Sequence, residues 1–312
     1  LLPLNPIMSK KAVLFPGQGA QAVGMGKDLS EGLPEARALF DRASAVLGYD
    51  LADICFNGPI EKLTVSAHAQ PAIFVHSVAA WTAWQASHPG SFDYMAGLSS
   101  GEWTALHLAG VIGFEDTLRV LEARGQFMQE ACEAQPGGMI SIIGADPAVL
   151  EQVCTGAGVE MANLNSHEQT VLSGPKEGID RVEVLAKELG IRKAIRLNVA
   201  GAFHSSLMRP AAIKLEAVLA HVEFKAPAVP VLANVTGMPH GGPDEIRKLM
   251  VAQVFSSVRW YQGIEFMQSQ GVTSYLECGP GKVLSGLVKR IDKTASLHSI
   301  QDRSGLAVAG AT

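Results

Sequence analysis

The chain has 312 residues, of which 47% are hydrophobic and 18% charged, and its formal net charge is -5. This composition predicts a folded protein with a sizeable core, and the negative charge argues against nucleic acid or an anionic membrane as the main partner. No stretch approaches the roughly 20 apolar residues of a membrane span. The four cysteines are too far apart for a zinc-type site. We therefore expect a cytoplasmic protein without a metal.

Strands alternate with helices in the first part of the chain, which is expected to begin at Met8. Residues 1–7 lack the basic segment of a secretory signal. The patterns predict strands at Lys11–Phe15 and Ser91–Ala96, mostly helix from Gly24 to Ala86, and helices at Glu102–Ala109 and Phe114–Ala134. This alternation indicates an α/β fold with a parallel sheet.

A compact insertion is predicted after Pro136-Gly137-Gly138. Its elements follow the order βαββαβ, which is the ferredoxin-like unit. They are expected at Met139–Gly144, Pro147–Cys154, Val159–Asn163, Gln169–Ser173, Glu177–Leu189 and Lys193–Leu197. After His204 the first pattern resumes, with strands at Val229–Ala233 and Ser274–Glu277. The expected division is a discontinuous domain of residues 8–135 and 205–300 and a small subdomain of residues 136–204.

The segment Gly97-Leu98-Ser99-Ser100-Gly101 lies between a predicted strand and a predicted helix. This G-x-S-x-G spacing is typical of a nucleophile elbow, with Ser99 as the nucleophile. The backbone N–H of Ser100 would then point toward a developing oxyanion. An ordinary strand-to-helix turn with a serine N-cap is the alternative that this motif alone leaves open.

A second glycine-rich loop, Phe15-Pro16-Gly17-Gln18-Gly19, follows the first strand. Glycines on both sides of Gln18 allow backbone N–H groups to approach a ligand closely. A plain turn is the alternative. Nucleotide binding is disfavoured because the loop has neither the Lys-Ser/Thr of a Walker motif nor the order G-x-G-x-x-G.

Five segments occur in the order found in malonyl-CoA:acyl-carrier-protein transacylases, and the chain resembles that family from about Ala12 to Ile291. The segments are FPGQGAQ, GLSSGE, RGQFMQEA, GAFHSSLM and GPGKVL, with QPA at Gln70–Ala72 and VRW at Val258–Trp260 as further matches. The resemblance implies an α/β-hydrolase-like core with a ferredoxin-like insertion. It also implies transfer of a malonyl group from malonyl-CoA to acyl carrier protein, for fatty acid or polyketide synthesis, without a cofactor.

The family's functional residues fall on particular positions of this chain. The resemblance implies Ser99 as nucleophile and His204 as general base, with the backbone carbonyl of Gln253 orienting the histidine. The backbone N–H groups of Gln18 and Ser100 would form the oxyanion hole. The substrate-binding residues would be Arg124, Gln70 and Leu98. The other eight histidines have no motif support and are predicted to be structural.

Arg124 also stands out from its position alone. In the predicted helix Phe114–Ala134 it shares one stripe with Leu121, Met128 and Ala131. An arginine on an apolar stripe needs an anion, which is either an acidic neighbour or a substrate carboxylate. The family usually has histidine where this chain has Leu98, and an aliphatic residue where it has Ser100. Leu98 removes a polar group beside the nucleophile, and this bears on the specificity for malonyl.

The predicted partners are malonyl-CoA and an acidic carrier protein. Candidate docking residues are Arg192, Lys193, Lys289 and Arg290, with ordinary solvated surface as the alternative. An acyl-thioester hydrolase, an acyltransferase of other acyl specificity and a non-catalytic binding module are the competing functions. A monomer is expected.

Overall fold

The computed structural model describes residues 9–308, so Met8 lies outside the described residues. The strands are β1 (Lys10–Phe15), β2 (Tyr94–Gly97), β3 (Gly137–Ile143), β4 (Glu160–Ser166), β5 (Gln169–Pro175), β6 (Lys193–Arg196), β7 (Val272–Cys278) and β8 (Ser296–Ile300). The helices before the second sheet are α1 (Lys27–Gly32), α2 (Pro34–Leu47), α3 (Leu51–Asn57), α4 (Ile60–Thr64), α5 (Ser66–Ser87), α6 (Ser100–Leu108) and α7 (Phe114–Ala134). The later helices are α8 (Pro147–Ala157), α9 (Lys176–Glu188), α10 (Arg209–Leu219), α11 (Pro243–Ala252), α12 (Trp260–Ser269), α13 (Val283–Ile291) and α14 (Arg303–Val308).

The larger domain is built on a parallel sheet with the strand order β2-β1-β7-β8. Residues 12–15 of β1 are completely buried, as expected for a strand of a parallel sheet that is covered on both faces. Because parallel neighbours cannot be joined by a tight turn, helices α1 to α5 make the connection from β1 to β2. The predicted α/β core with a parallel sheet is confirmed.

The second sheet is antiparallel and has the order β4-β5-β3-β6. Its strands alternate with α8 and α9 in the sequence βαββαβ, which confirms the ferredoxin-like insertion. The two helices share an apolar core with the sheet that includes Ile140, Val153, Leu172, Ile179 and Val182. The exact domain boundaries stay a prediction.

A pair of backbone hydrogen bonds joins the segment before α12 to the small sheet beside the site. In β4 the backbone N–H of Leu164 donates to Val258 O at 2.9 Å, and the N–H of Val258 donates to Ala162 O at 2.8 Å. The segment before α12 is therefore anchored to the small sheet. His204 lies shortly after β6, so both sides of the gap between the sheets carry residues of the predicted site.

The main differences from the sequence prediction concern β2, β8 and the segment 229–233. Helix α7 has the predicted bounds, but β2 begins at Tyr94 rather than Ser91, and β8 was not predicted. The segment 229–233 forms only isolated bridges, among them Val231 with Met95. Pro230 has no N–H to donate, and this limits a ladder at that edge. Within residues 9–308, no helix is both long and apolar enough to span a membrane.

Candidate active site

The turn between β2 and α6 holds Ser99 in a strained conformation, with φ 55° and ψ -111°. Such a backbone is costly for a residue with a Cβ atom. The glycines of the motif allow close packing around it. A Cβ on Gly97 would lie 2.0 Å from the carbonyl of Gly101, and one on Gly101 would lie 2.1 Å from Phe15 O. The spacing G-x-S-x-G is therefore required by backbone contacts, and it projects Ser99 from the turn.

His204 lies within hydrogen-bond distance of the serine. Its Nε2 is 2.8 Å from Ser99 Oγ, and its Nδ1 is 2.8 Å from Gln253 O. A carbonyl can only accept, so Nδ1 carries the proton and Nε2 is free to accept the hydroxyl proton of Ser99. His204 is itself held at φ 56°. The geometry is that of a serine with an adjacent base that a backbone carbonyl orients.

Burial keeps this histidine uncharged at neutral pH. Desolvation, followed by the positive charge of Arg124, lowers the pKa of His204 to about 4. Hydrogen bonds to the backbone of Gln253 and Ser256 act in the opposite direction. A neutral imidazole can accept a proton, so the environment favours the form that a general base needs.

Arg124 is 1% exposed and points at the same serine. Its Nη1 donates to Gln70 Oε1 at 2.7 Å, while its Nη2 donates to Gln253 Oε1 at 3.0 Å and to Ser99 Oγ at 3.2 Å. Its Nε has no partner among the described residues. The guanidinium is thus held by neutral acceptors and keeps a donor unused.

The charge on Arg124 has no carboxylate in direct contact within residues 9–308. Burial lowers its pKa to about 10, with the carboxylate of Glu102 acting against that shift. The guanidinium therefore remains charged at neutral pH. A buried cation with neutral partners attracts an anion, and it can grip a carboxylate through charge-assisted hydrogen bonds.

The two candidate oxyanion donors lie side by side. The loop containing Gly17 packs against the turn that holds Ser99, since a Cβ on Gly17 would be 2.1 Å from Leu98 O. The backbone N–H of Gln18 donates to Ser100 Oγ at 3.1 Å. The side chain of Gln18 accepts from Gln70 Nε2 at 3.2 Å. The Ser100 hydroxyl is therefore a direct contact of one candidate donor, in addition to the backbone role predicted for this residue.

These groups open into a cleft of about 820 Å³ between the two sheets. Leu98, Ser99 and Arg124 line it from the larger domain, Met139 and Val171 line it from the small sheet, and His204 lines it from the segment after β6. Gln70, Ser100 and Gln253 lie behind this wall, where Gln70 and Gln253 contact Arg124. In the part of the chain that the structure describes, no cluster of three or more His, Cys, Asp or Glu could hold a metal ion.

The four candidate docking residues are all exposed, but they lie in two places. Arg192 and Lys193 are at the start of the edge strand β6. Lys289 and Arg290 are in the last turn of α13, whose first turn lines the cleft. The second pair is therefore on an element of the cleft wall.

Three further residues complete the site, and the sequence analysis assigned no role to them. Asn234 Oδ1 accepts from the backbone N–H of Ser99 at 2.7 Å, and its Nδ2 donates to Gly97 O at 2.7 Å. Glu102 and His240, the latter predicted only as structural, form a buried pair behind the turn. Glu102 belongs to the motif GLSSGE, and its charge among apolar and small residues is the one signal that could have indicated it.

Comparisons with known proteins agree with this geometry. The family model described as Acyl transferase domain matches residues 13–306. A malonyl CoA-acyl carrier protein transacylase of Bacillus subtilis is 41% identical over 307 residues, which cover 97% of this chain and 96% of the relative. An acyl carrier protein S-malonyltransferase structure from Vibrio cholerae is 42% identical with a TM-score of 0.93, covering 96% of this chain and 100% of that one.

A third relative was solved with its partner. It is a malonyl-transacylase in complex with a type II PKS acyl-carrier protein, and it is 41% identical with a TM-score of 0.93. The alignment covers 96% of this chain and 99% of that one. With a serine, a histidine and an arginine joined in the cleft and full-length matches of this kind, the chain belongs to the family of malonyl CoA-acyl carrier protein transacylases.

Proposed function

We propose that this protein transfers a malonyl group from malonyl-CoA to the pantetheine thiol of an acyl carrier protein, through an acyl-enzyme on Ser99. The contact between Arg124 and Ser99 carries the proposal. A buried guanidinium lies 3.2 Å from the nucleophile oxygen, so an acyl group bound at that oxygen with a carboxylate at its far end would meet a cation. Malonyl has this carboxylate and acetyl does not.

In the first half-reaction Ser99 Oγ attacks the thioester carbonyl carbon. Its proton passes to His204 Nε2, which lies 2.8 Å away. The tetrahedral intermediate collapses, the carbon–sulfur bond breaks, and His204 returns the proton to the departing CoA sulfur. The imidazolium is stabilised meanwhile by the Gln253 carbonyl, which accepts from Nδ1 at 2.8 Å. No carboxylate partner of the histidine is required.

In the second half-reaction the pantetheine thiol attacks the seryl ester. His204 takes the thiol proton and gives it to Ser99 Oγ as the ester bond breaks, so the enzyme is regenerated. Water and a thiol compete for the same acyl-enzyme. An acyl-thioester hydrolase, one of the competing functions, would differ only in using water as the acceptor of the acyl group.

The oxyanion of each intermediate is proposed to bind the backbone N–H groups of Gln18 and Ser100. In the free enzyme the N–H of Gln18 already has an acceptor in Ser100 Oγ. A negatively charged oxygen is a stronger acceptor than a hydroxyl. The N–H of Gln18 therefore leaves Ser100 Oγ and donates to the oxyanion as its charge develops. Donors fixed before the reaction cost little reorganisation.

The carrier protein is proposed to dock near the end of α13. Arg290 donates from Nη1 to Gln169 Oε1 at 2.9 Å, and Gln169 lines the cleft. A cation at this place suits an acidic partner that delivers a pantetheine arm into the cleft. Arg192 and Lys193 remain a second candidate patch. A monomeric state and a cytoplasmic location stay predictions from the sequence.

The test is to incubate the protein with radiolabelled malonyl-CoA and to map the labelled peptide by mass spectrometry. We expect one malonyl group per chain on Ser99, and its transfer to added carrier protein. Ser99→Ala should abolish the label, whereas Ser100→Ala keeps the backbone donor and should keep most of the labelling. Release of free malonate in place of transfer would support the hydrolase, and full labelling of Ser99→Ala would overturn the assignment.

A further inference from the structure

A buried acid–base pair, Glu102 and His240, lies behind the turn that holds Ser99, and the mechanism above does not use it. His240 Nε2 is 2.6 Å from Glu102 Oε1, with side-chain exposures of 0% and 1%. A carboxylate can only accept, so His240 donates from Nε2. Its Nδ1 has no partner among the described residues. Charged side chains are almost never buried without a compensating charge, so a role for this carboxylate is expected.

The second oxygen of the carboxylate faces the catalytic side. Glu102 Oε2 accepts from Gln253 Nε2 at 2.6 Å and from the backbone N–H of Asn234 at 3.1 Å. Gln253 Nε2 also donates to Ser99 O at 2.9 Å. Both protons of this amide are therefore used, and its oxygen is left to face Arg124 at 3.0 Å.

The amide of Gln253 thus stands between an anion and a cation. Reversing it would place its oxygen against the carboxylate of Glu102 and its NH₂ group against the guanidinium of Arg124, and both contacts would be repulsive. One amide group and two hydrogen bonds separate the two charges. Glu102 is also the charge that acts to keep Arg124 protonated against burial.

From this arrangement we infer that Glu102 is the counter-charge of Arg124 and weakens the binding of carboxylated acyl groups. This inference rests on the proposed function. Set back behind Gln253, Glu102 neutralises the buried cation in the empty site without occupying the donors that a substrate carboxylate needs. The substrate carboxylate becomes a second anion near the same cation, and the two anions repel each other.

The repulsion has a calculable size. Coulomb's law, with an effective dielectric constant of about 20 and a separation of about 9 Å, gives an effect of roughly 20-fold in affinity. It acts equally on bound malonyl substrate and on the transition state, so it changes KM and leaves kcat nearly constant. Acetyl carries no carboxylate, so this repulsion does not act on it.

The decisive variant is Glu102→Gln. It keeps the shape, and its amide oxygen can still accept from Gln253 and Asn234. Its NH₂ group then faces His240, whose Nε2 accepts once the imidazole proton has moved to Nδ1. We expect the malonyl-to-acetyl ratio of kcat/KM to rise on the order of 20-fold, mainly through a lower KM for malonyl-CoA. Glu102→Asp retains the charge with altered hydrogen bonding, so it should not raise the malonyl-to-acetyl preference. If Glu102→Gln fails to fold, the double variant with His240→Gln offers a fully hydrogen-bonded pair with the same expectation.

A matched control is Glu277→Gln. Glu277 is likewise a buried acid, and it accepts from the backbone N–H groups of Leu284 and Ser285 at 3.0 and 2.7 Å. Removing the charge of Glu277 should not change the malonyl-to-acetyl ratio. An unchanged or lower malonyl-to-acetyl ratio in Glu102→Gln overturns the inference. A merely structural role would lower kcat/KM for both substrates together and leave their ratio unchanged. A wild-type protein that malonyl-CoA does not acylate overturns the proposed function instead.

Discussion

Replacing Arg124 by alanine is expected to convert a malonyl-selective site into one that no longer distinguishes malonyl from acetyl. The guanidinium is almost fully buried, and its three hydrogen-bond acceptors are uncharged. A substrate carboxylate would therefore be its first direct ionic partner. A charge-assisted hydrogen bond in such a site contributes about 1.5–3 kcal/mol net, which corresponds to roughly 10- to 150-fold in kcat/KM.

The two substrates should respond in opposite directions. Malonyl transfer by Arg124→Ala should fall by that factor, because the grip on the carboxylate is lost. Acetyl transfer should hold or rise, because the wild-type protein binds the uncharged acetyl group beside a buried guanidinium that has no anion in direct contact. Arg124→Lys should recover only part of the malonyl rate, since an ammonium cannot make the two-pronged contact.

The assay is kcat/KM for malonyl-CoA and acetyl-CoA in the wild type and both variants, with thermal unfolding as a check of the fold. The check matters because truncation also leaves Gln70 Oε1 and Gln253 Oε1 without their donor. A malonyl-to-acetyl ratio that is unchanged in Arg124→Ala would refute the reasoning. Selectivity would then have to come from the wall around Leu98.

Two further predictions concern the base and the docking surface. His204→Ala should slow acylation by roughly 10²–10⁴-fold. Burial, followed by the charge of Arg124, lowers the pKa of His204 to about 4. In the wild type, kcat/KM should therefore be constant near neutral pH and fall as the pH drops toward about 4. An acid limb near the ordinary histidine value of about 6.5 would contradict this. Arg290→Glu should raise the KM for an acidic carrier protein several-fold and leave acylation by malonyl-CoA unchanged. Lys193→Glu is the parallel test of the other patch. An equal loss in both half-reactions would instead indicate damage to the cleft.

Features of the fold that depend on local pattern could be predicted from the amino-acid sequence. Helix α7 has the predicted bounds because its apolar stripe and the acidic residues of its first turn are local signals. The order βαββαβ was readable for the same reason. The glycines around Ser99 were also informative, since a Cβ on either would collide with backbone within about 2 Å, and few sequences meet that condition by chance.

The surroundings of Ser99 depend on contacts between remote segments, which exist only in the folded chain. Gln253 O orients a histidine 49 residues away, Asn234 holds the N–H of Ser99 across 135 residues, and Glu102 pairs with His240 across 138. A hydrogen bond between remote segments leaves no periodicity in either of them, so residue type alone cannot reveal it. The resemblance implied the Gln253 carbonyl, but the side-chain amide that separates Glu102 from Arg124 became visible only when α6, α7 and the end of α11 were brought together.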